Sequence, residues 1–311
     1  MVTKRIKPII KEAPQSNFFY LNHSLENLFA PPGIEILLSK QAYQKYSWVR
    51  QYFSKEPQEG YFIWVKKQPL LPLTTCIGIS QNKISQHLGN LLVVEPNLEV
   101  YSNVTCNAFE LDLCASHEAQ GKIILKRGAS LVYEHLHYWG KGDYVEPNYE
   151  FYLAQGARLV YKYQVLNPPK TLKIKTKAEL AQEAQAELKT VVKGHHSNIN
   201  IDEEMILKGT KAQGSLFLRL AAEAQTFIEG LSHLRAEAES KGHLDCRGLI
   251  LDSTSTIQLV PALINKDKKA LLTHEASIGR VNEEELNYLR ARGFSLEEAV
   301  NLIVNGFLQV T

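Results

Sequence analysis

A thiol, an imidazole and a carboxylate stand close together near the end of this 311-residue chain: Cys246 in GHLDCRGLIL, then His274 and Glu275 in LLTHEAS. Thiolate is the preferred ligand of iron-sulfur clusters, whereas imidazole and carboxylate are harder and more exchangeable. One cysteine with a histidine and a glutamate would therefore hold a cluster loosely, as a carrier must. The competing reading is a small apolar cysteine buried in a strand beside a structural histidine, because free cysteine is among the most buried residue types. Nucleophilic catalysis fits Cys246 less well, since no glycine-rich turn or helix N-terminus adjoins it to build an oxyanion site.

Other chemistry-bearing residues read more plainly. Cys106, Cys114 and His117 offer ligands, but C-x7-C is no standard zinc spacing. His135 and His137 share a strand face in EHLHYW, and His195 with His196 lies in a turn-like GHHSN; hydrogen-bonded or solvated roles are expected for both pairs. The chain has no P-loop, no G-x-G-x-x-G and no H-E-x-x-H, so any ATP would be used by a partner.

The elements that position these groups come from a repeat. RGASLVY, QGARLVY, EAQAELKT, KAQGSLFL, ESKGHLDC and DKKALLTH share a small residue, any residue, then leucine. The leucines at 131, 159, 188, 216, 244 and 272 are spaced by 28 or 29 residues. Within each unit apolar residues alternate with period two, as in LKIKT, which suits strands with one buried face even where AELAQEAQAEL has the composition of a helix. A strand-rich unit of about 28 residues without helical crossovers requires a parallel β-helix, each coil stacking on the last. On this alignment Cys246 and His274 fall in equivalent places on consecutive coils and should be neighbours about 4.8 Å apart. Glu275, one residue on, should point to the opposite face unless a bulge turns it.

The domain organisation expected is an irregular, aromatic- and proline-rich N-terminal segment over 1–80, a β-helix core over 81–275 and a helical domain over 276–311. In the tail, Asn282 with Glu285 and Ser295 with Glu298 read as helix starts, Gly293 and Gly306 as helix stops. Leu286, Leu289, Ala299, Val300, Ile303, Val304 and Phe307 supply an apolar face that caps the solenoid or docks a partner. Thirty-five basic against thirty-three acidic residues leave a charge of +2, no electrostatic basis for binding nucleic acid or a membrane surface. The basic start MVTKRIKPIIKEAP lacks a signal-peptide core, and four cysteines without a C-x-x-C pair suit a reducing compartment, so a cytoplasmic location is expected.

Residues 273–307, THEASIGRVNEEELNYLRARGFSLEEAVNLIVNGF, resemble the C-terminal signature of the SufB/SufD family of iron-sulfur cluster assembly proteins: an H-E-A turn, an I-G pair, E-E-x-L-x-Y-L-x-x-R-G ending at Arg292 and Gly293, then E-E-A and N-G-F. GNLLVVEPNLEV, HEAQGKIILKRGASLVYEHLHYW and GHLDCRGLIL extend the resemblance over roughly 85–311, in a short chain like the compact archaeal-type members. The resemblance implies a right-handed parallel β-helix with a small helical domain. It implies pairing through the end of the β-helix, with a transient iron-sulfur cluster at that interface, and a helical tail that binds the ABC-type ATPase SufC. It makes Cys246 and Glu275 the SufB-like ligands and His274 the SufD-like one, which favours a homodimer. Leu286, Leu289, Arg292, Val300, Ile303 and Phe307 become the expected SufC-binding residues. A sulfur-receiving cysteine further upstream in larger SufB proteins has no counterpart in YEFYLAQGARLVYKY, and a flavin is left unassigned. The implied role is a non-enzymatic scaffold. The alternatives are a SufD-like subunit that binds SufC without a cluster, and a polysaccharide-active β-helix enzyme. The last would need converging carboxylates, and the outer positions Glu134, Lys162, Val191, Arg219 and Arg247 do not supply them.

Overall fold

The computed structural model describes residues 17–309; the basic start lies outside them. From Tyr61 onward the strands alternate between two sheets, one of ten and one of nine, and all pairings among these strands are parallel. This is the expected β-solenoid, each coil contributing one strand to each sheet. The period-two pattern explains why: in Arg158–Asn167 the alternate residues Leu159, Tyr161, Tyr163 and Val165 are buried inside, and Arg158 and Lys162 are outside. AELAQEAQAEL folds as two strands, Thr171–Leu180 and Gln185–His195, with a turn between, because the coil-to-coil ladder overrides helix propensity.

Five successive coils turn a corner at a residue with left-handed backbone: Asn97, Gly128, Gly156, Glu183 and Lys211, all with φ between 58° and 67°. Their amides donate to the next coil, Gly156 N to Gln182 O at 2.9 Å and Glu183 N to Thr210 O at 3.0 Å, so the corners form a ladder of their own. At Gly156 a Cβ would meet no atom within 4 Å, so only backbone strain opposes a side chain there. Gly156→Ala should cost about 1 kcal/mol, read as a shift in the urea midpoint at constant m.

Residues 17–79 differ from the expected irregular segment. Phe18–Leu21 and Leu73–Ile79 extend one sheet and Tyr61–Val65 the other, so the first coils are built from them. The N-terminal edges are closed by antiparallel strands, Ser24–Leu28 on Phe18–Leu21 and Ile34–Leu38 on Tyr61–Val65. Outside the second sheet, the short helix α1 (Ser39–Lys45) and a 3-10 turn (Ser47–Tyr52) pack Ala42 and Val49 on Phe62, Leu91 and Val93, with Trp48 and Trp64 beside them. The far end is left open: Thr256–Asn265 and Leu271–Arg280 are the last strands of their sheets.

The β-helix continues past the expected boundary at 275, to Arg280. Helix α2 (Glu283–Ala291) is capped by the Asn282 side chain, which accepts from Glu284 N, and Gly293 with φ 98° closes it. Helix α3 (Leu296–Leu308) starts on the Ser295–Glu298 capping box. It runs through Gly306, which was expected to stop it. The reason is packing: Val304 and Leu308 sit on Val191, Ala221 and Leu249 of the solenoid's outer wall, and that contact carries the helix past the glycine.

Candidate functional site

The leucine alignment holds at three of its five steps. Leu131 pairs with Leu159, and Leu188, Leu216 and Leu244 stack in turn. Leu159, however, pairs with Ala186, and Leu244 pairs with His274 in place of Leu272. Cys246 therefore stacks between Leu218 and Ala276, not against His274. The cause of the last shift is one extra residue in each connection of the final coil: successive strands begin at 213, 227 and 241, then at 256 and 271. A two-residue slip returns every side chain to the same face, so the alternation in sequence is blind to it.

Cys246 and His274 consequently share the inner face as diagonal neighbours on adjacent strands, roughly 7–8 Å apart. Cys246 is 1% exposed and its Sγ donates to Ser232 Oγ at 3.6 Å. Burial, reinforced by the Glu203 and Asp245 charges and only partly offset by Ser232, pushes its thiol up to about 12, so it is protonated in the closed chain. His274 is exposed because the strand that carries it has no outer neighbour among the described residues. Glu275 stacks on Asp245 and faces outward, as strict alternation requires, with Oε2 3.2 Å from Arg247 Nη2. It belongs to a charged ladder on the outer wall: Arg247 Nε lies 2.9 Å from Asp245 Oδ1, and Arg219 Nη2 lies 2.6 Å from Asp245 Oδ2. Within one chain the three residues do not converge.

Behind Cys246 the core is polar. Glu203 pairs in register with Ser232 and is fully buried; Thr190 Oγ1 donates to its Oε1, and Oε2 has no partner among the described residues. Burial, helped by the charge of Asp202 and opposed by Thr190, moves the Glu203 carboxyl up to about 7.

A second cluster lies deeper. Cys106, on Glu99–Ala108, pairs in register with His137 on Ser130–Tyr138, and both point inward with His135. Cys106 Sγ lies 3.4 Å from His135 Nε2, and the two Nε2 atoms lie 2.9 Å apart. Trp139 Nε1 donates to His137 Nδ1 at 3.0 Å; the phenols of Tyr163 and Tyr161 lie 3.0 Å from His137 Nδ1 and 3.4 Å from His135 Nδ1. Burial lowers the histidines, His117 and His135 to about 3 and His137 well below its usual value, and raises the Cys106 thiol, so all are neutral. Sequence reading set Cys106 with Cys114 and His117, and took His135 and His137 apart from it. In the fold Cys114 is exposed and His117 binds Gln86 at 3.0 Å. The missed signal was a cysteine 31 residues before the second histidine of an H-x-H strand, a coil longer than the repeat.

In the tail, Val300, Ile303 and Phe307 are half-buried against the chain's own wall. The exposed apolar side chains there are Tyr288, Phe294, Leu296 and Leu302, with the Arg292 guanidinium 5.2 Å over the Tyr288 ring. No helix of the described residues is long and apolar enough to cross a membrane.

A parallel β-solenoid with a closed start, an open end carrying a cysteine and a histidine on its inner face, and a helical tail packed on its wall defines a narrow class of protein. The profile described as "SUF system FeS cluster assembly, SufBD core domain" matches residues 77–307, and the chain belongs to that family of iron-sulfur cluster assembly proteins. It is 28% identical over 305 residues to an iron-sulfur cluster assembly SufBD family protein of Methanothermobacter thermautotrophicus, covering 90% of this chain and 74% of that one. A protein of the same description from Archaeoglobus fulgidus is 27% identical over 89% of this chain and 80% of its own length. The iron-sulfur cluster assembly protein SufB of Bacillus subtilis is 25% identical over 80% of this chain, which spans 55% of it.

Proposed function

We propose that the chain is a scaffold on which a labile iron-sulfur cluster is built as cargo at the open end of the solenoid, between two copies of the chain. The observation that carries this reading is the placement of Cys246 and His274 on the inner face of the last two strands of one sheet, beside edges that none of the described residues pairs with. Uncovered edge strands template pairing with another chain. Here they expose Val260, Leu271 and Ile278 as well. Pairing through this end brings a second Cys246, His274 and Glu275 to the same place, supplying across the interface the convergence that one chain lacks.

Cys246 is buried and protonated, so iron must reach it and displace its proton. A rigid-body opening of the paired ends provides that access. The family resemblance assigns the work of opening to a SufC-type ATPase on the tail, where Tyr288, Arg292, Phe294, Leu296 and Leu302 form the exposed surface, with Leu286 and Leu289 half-buried beneath it.

The test is anaerobic reconstitution with iron and sulfide, with and without SufC, on wild type and Cys246→Ser. Thiolate-to-iron absorption and bound iron are expected in the wild type and should be lost in the variant, and light scattering should give the mass of a dimer. Equal spectra would make the chain a SufC-binding structural subunit, and a monomer that still binds cluster would remove the pairing.

A further inference from the structure

We propose that Cys106, His135 and His137 form a site for a single transition-metal ion of the zinc-like borderline class inside the solenoid, separate from the cluster site and independent of the functional reading above. His135 and Cys246 stand in the same inward-facing column four strand spacings apart, roughly 19 Å.

The donor set comes first. One sulfur and two imidazole nitrogens, with no carboxylate among them, lie within 4.8 Å of one another in a chamber from which solvent is excluded. Thiolate with imidazole selects zinc-like ions and copper and leaves magnesium and calcium unbound. The geometry agrees. Zinc at about 2.3 Å from sulfur and about 2.05 Å from nitrogen, in a tetrahedron, needs an S···N edge of ~3.6 Å and an N···N edge of ~3.4 Å. The edges present are 3.4 Å from Cys106 Sγ to His135 Nε2 and 2.9 Å between the two Nε2 atoms. Opening these two edges by a few tenths of an ångström brings them to the tetrahedral values, with the third edge, Cys106 to His137, within 4.8 Å.

The surrounding groups suit metal-bound imidazole, whose other ring nitrogen donates to a fixed acceptor. Trp139 Nε1 can only donate, so in the metal-free chain His137 Nδ1 accepts and the His137 proton sits on Nε2, facing His135 Nε2. That leaves the His135 proton on Nδ1, toward Tyr161, already the tautomer for ligation through Nε2. Loading an ion releases the Cys106 proton and moves the His137 proton to Nδ1, where Tyr163 accepts it. The Trp139 indole then gives up its acceptor, so its fluorescence reports the event. Beside it, His117 lies 4.9 Å over the Trp139 ring with Nε2 unpartnered among the described residues, one more nitrogen in the same chamber.

An enclosed site is filled as the chain folds. The experiment uses the full chain carrying Cys76→Ala, Cys114→Ala and Cys246→Ala, refolded from denaturant with Co²⁺ as the probe. We expect about one cobalt retained per chain after desalting, thiolate-to-cobalt absorption in the near ultraviolet and the visible bands of tetrahedral cobalt. Adding Cys106→Ser should abolish the thiolate band, and His137→Gln should alter the visible bands, in proteins whose circular dichroism matches the parent. A folded parent that retains no cobalt overturns the proposal, as does a thiolate band that survives Cys106→Ser.

Discussion

Replacing Glu203 with glutamine should change stability by about 3 kcal/mol more at pH 8 than at pH 4, in the stabilising direction. The buried carboxyl has its pKa raised to about 7 in the fold, against an ordinary value near 4.5. A group raised on folding contributes stability that is complete below its unfolded value and lost as pH rises through its folded value. The wild type therefore forfeits this contribution between about pH 4.5 and 7, at roughly 1.4 kcal/mol per pH unit. Glutamine cannot ionise and forfeits nothing. The buried histidines titrate with the opposite sign, losing stability as pH falls below about 6.5. The quantity to measure is thus the difference between variant and wild type in urea unfolding at each pH, in which the histidines cancel. A difference that does not change with pH would mean that Glu203 is ionised at little cost, and so not enclosed as described.

Arg219→Met should destabilise the fold by about 3 kcal/mol at neutral pH. Arg219 and Asp245 are 8% and 5% exposed, joined by two side-chain hydrogen bonds of 3.1 and 2.6 Å, under the end of α3 where Phe307 and Gln309 line the same pocket. Burial acts to raise the Asp245 carboxyl, but Arg219 and then Arg247 outweigh it and hold it below its usual value. Removing Arg219 leaves a buried carboxylate with the half-exposed Arg247 as its remaining cation, which places the loss at the lower end of the range for broken buried pairs. The contribution of a depressed carboxylate is present above its unfolded value and lost as pH falls. The penalty of Arg219→Met should accordingly shrink toward pH 3. Arg219→Met with Asp245→Leu should recover most of the loss, because neither charge is then stranded. Chemical unfolding of the two single variants and the double variant measures the coupling; a purely additive cycle would show that the pair does not act as a unit.

The same wall shows how far sequence reading reached. Leu188, Leu216 and Leu244 revealed a stacked strand unit because repetition and period-two burial are properties of the chain itself, and each coil repeats the same solution to burying one face. The Ser295–Glu298 box was equally legible, being a local hydrogen-bond pattern over four residues. The polar core was not. Cys106 and His137 lie one coil apart but 31 residues apart, and only the stacked strands show that they touch.

The sequence by itself determined that the chain is a parallel β-solenoid with a two-helix tail, that Cys246 and His274 face one way and Glu275 the other, and that the family is SufBD. Tertiary structure decided which residue stacks on which. A one-residue slip would turn the apolar face of a strand to solvent, so the alternation forbids it. A slip of two leaves every face unchanged, and only the lengths of the connections at 251–255 and 266–270, read in three dimensions, place Ala276 over Cys246 and His274 over Leu244.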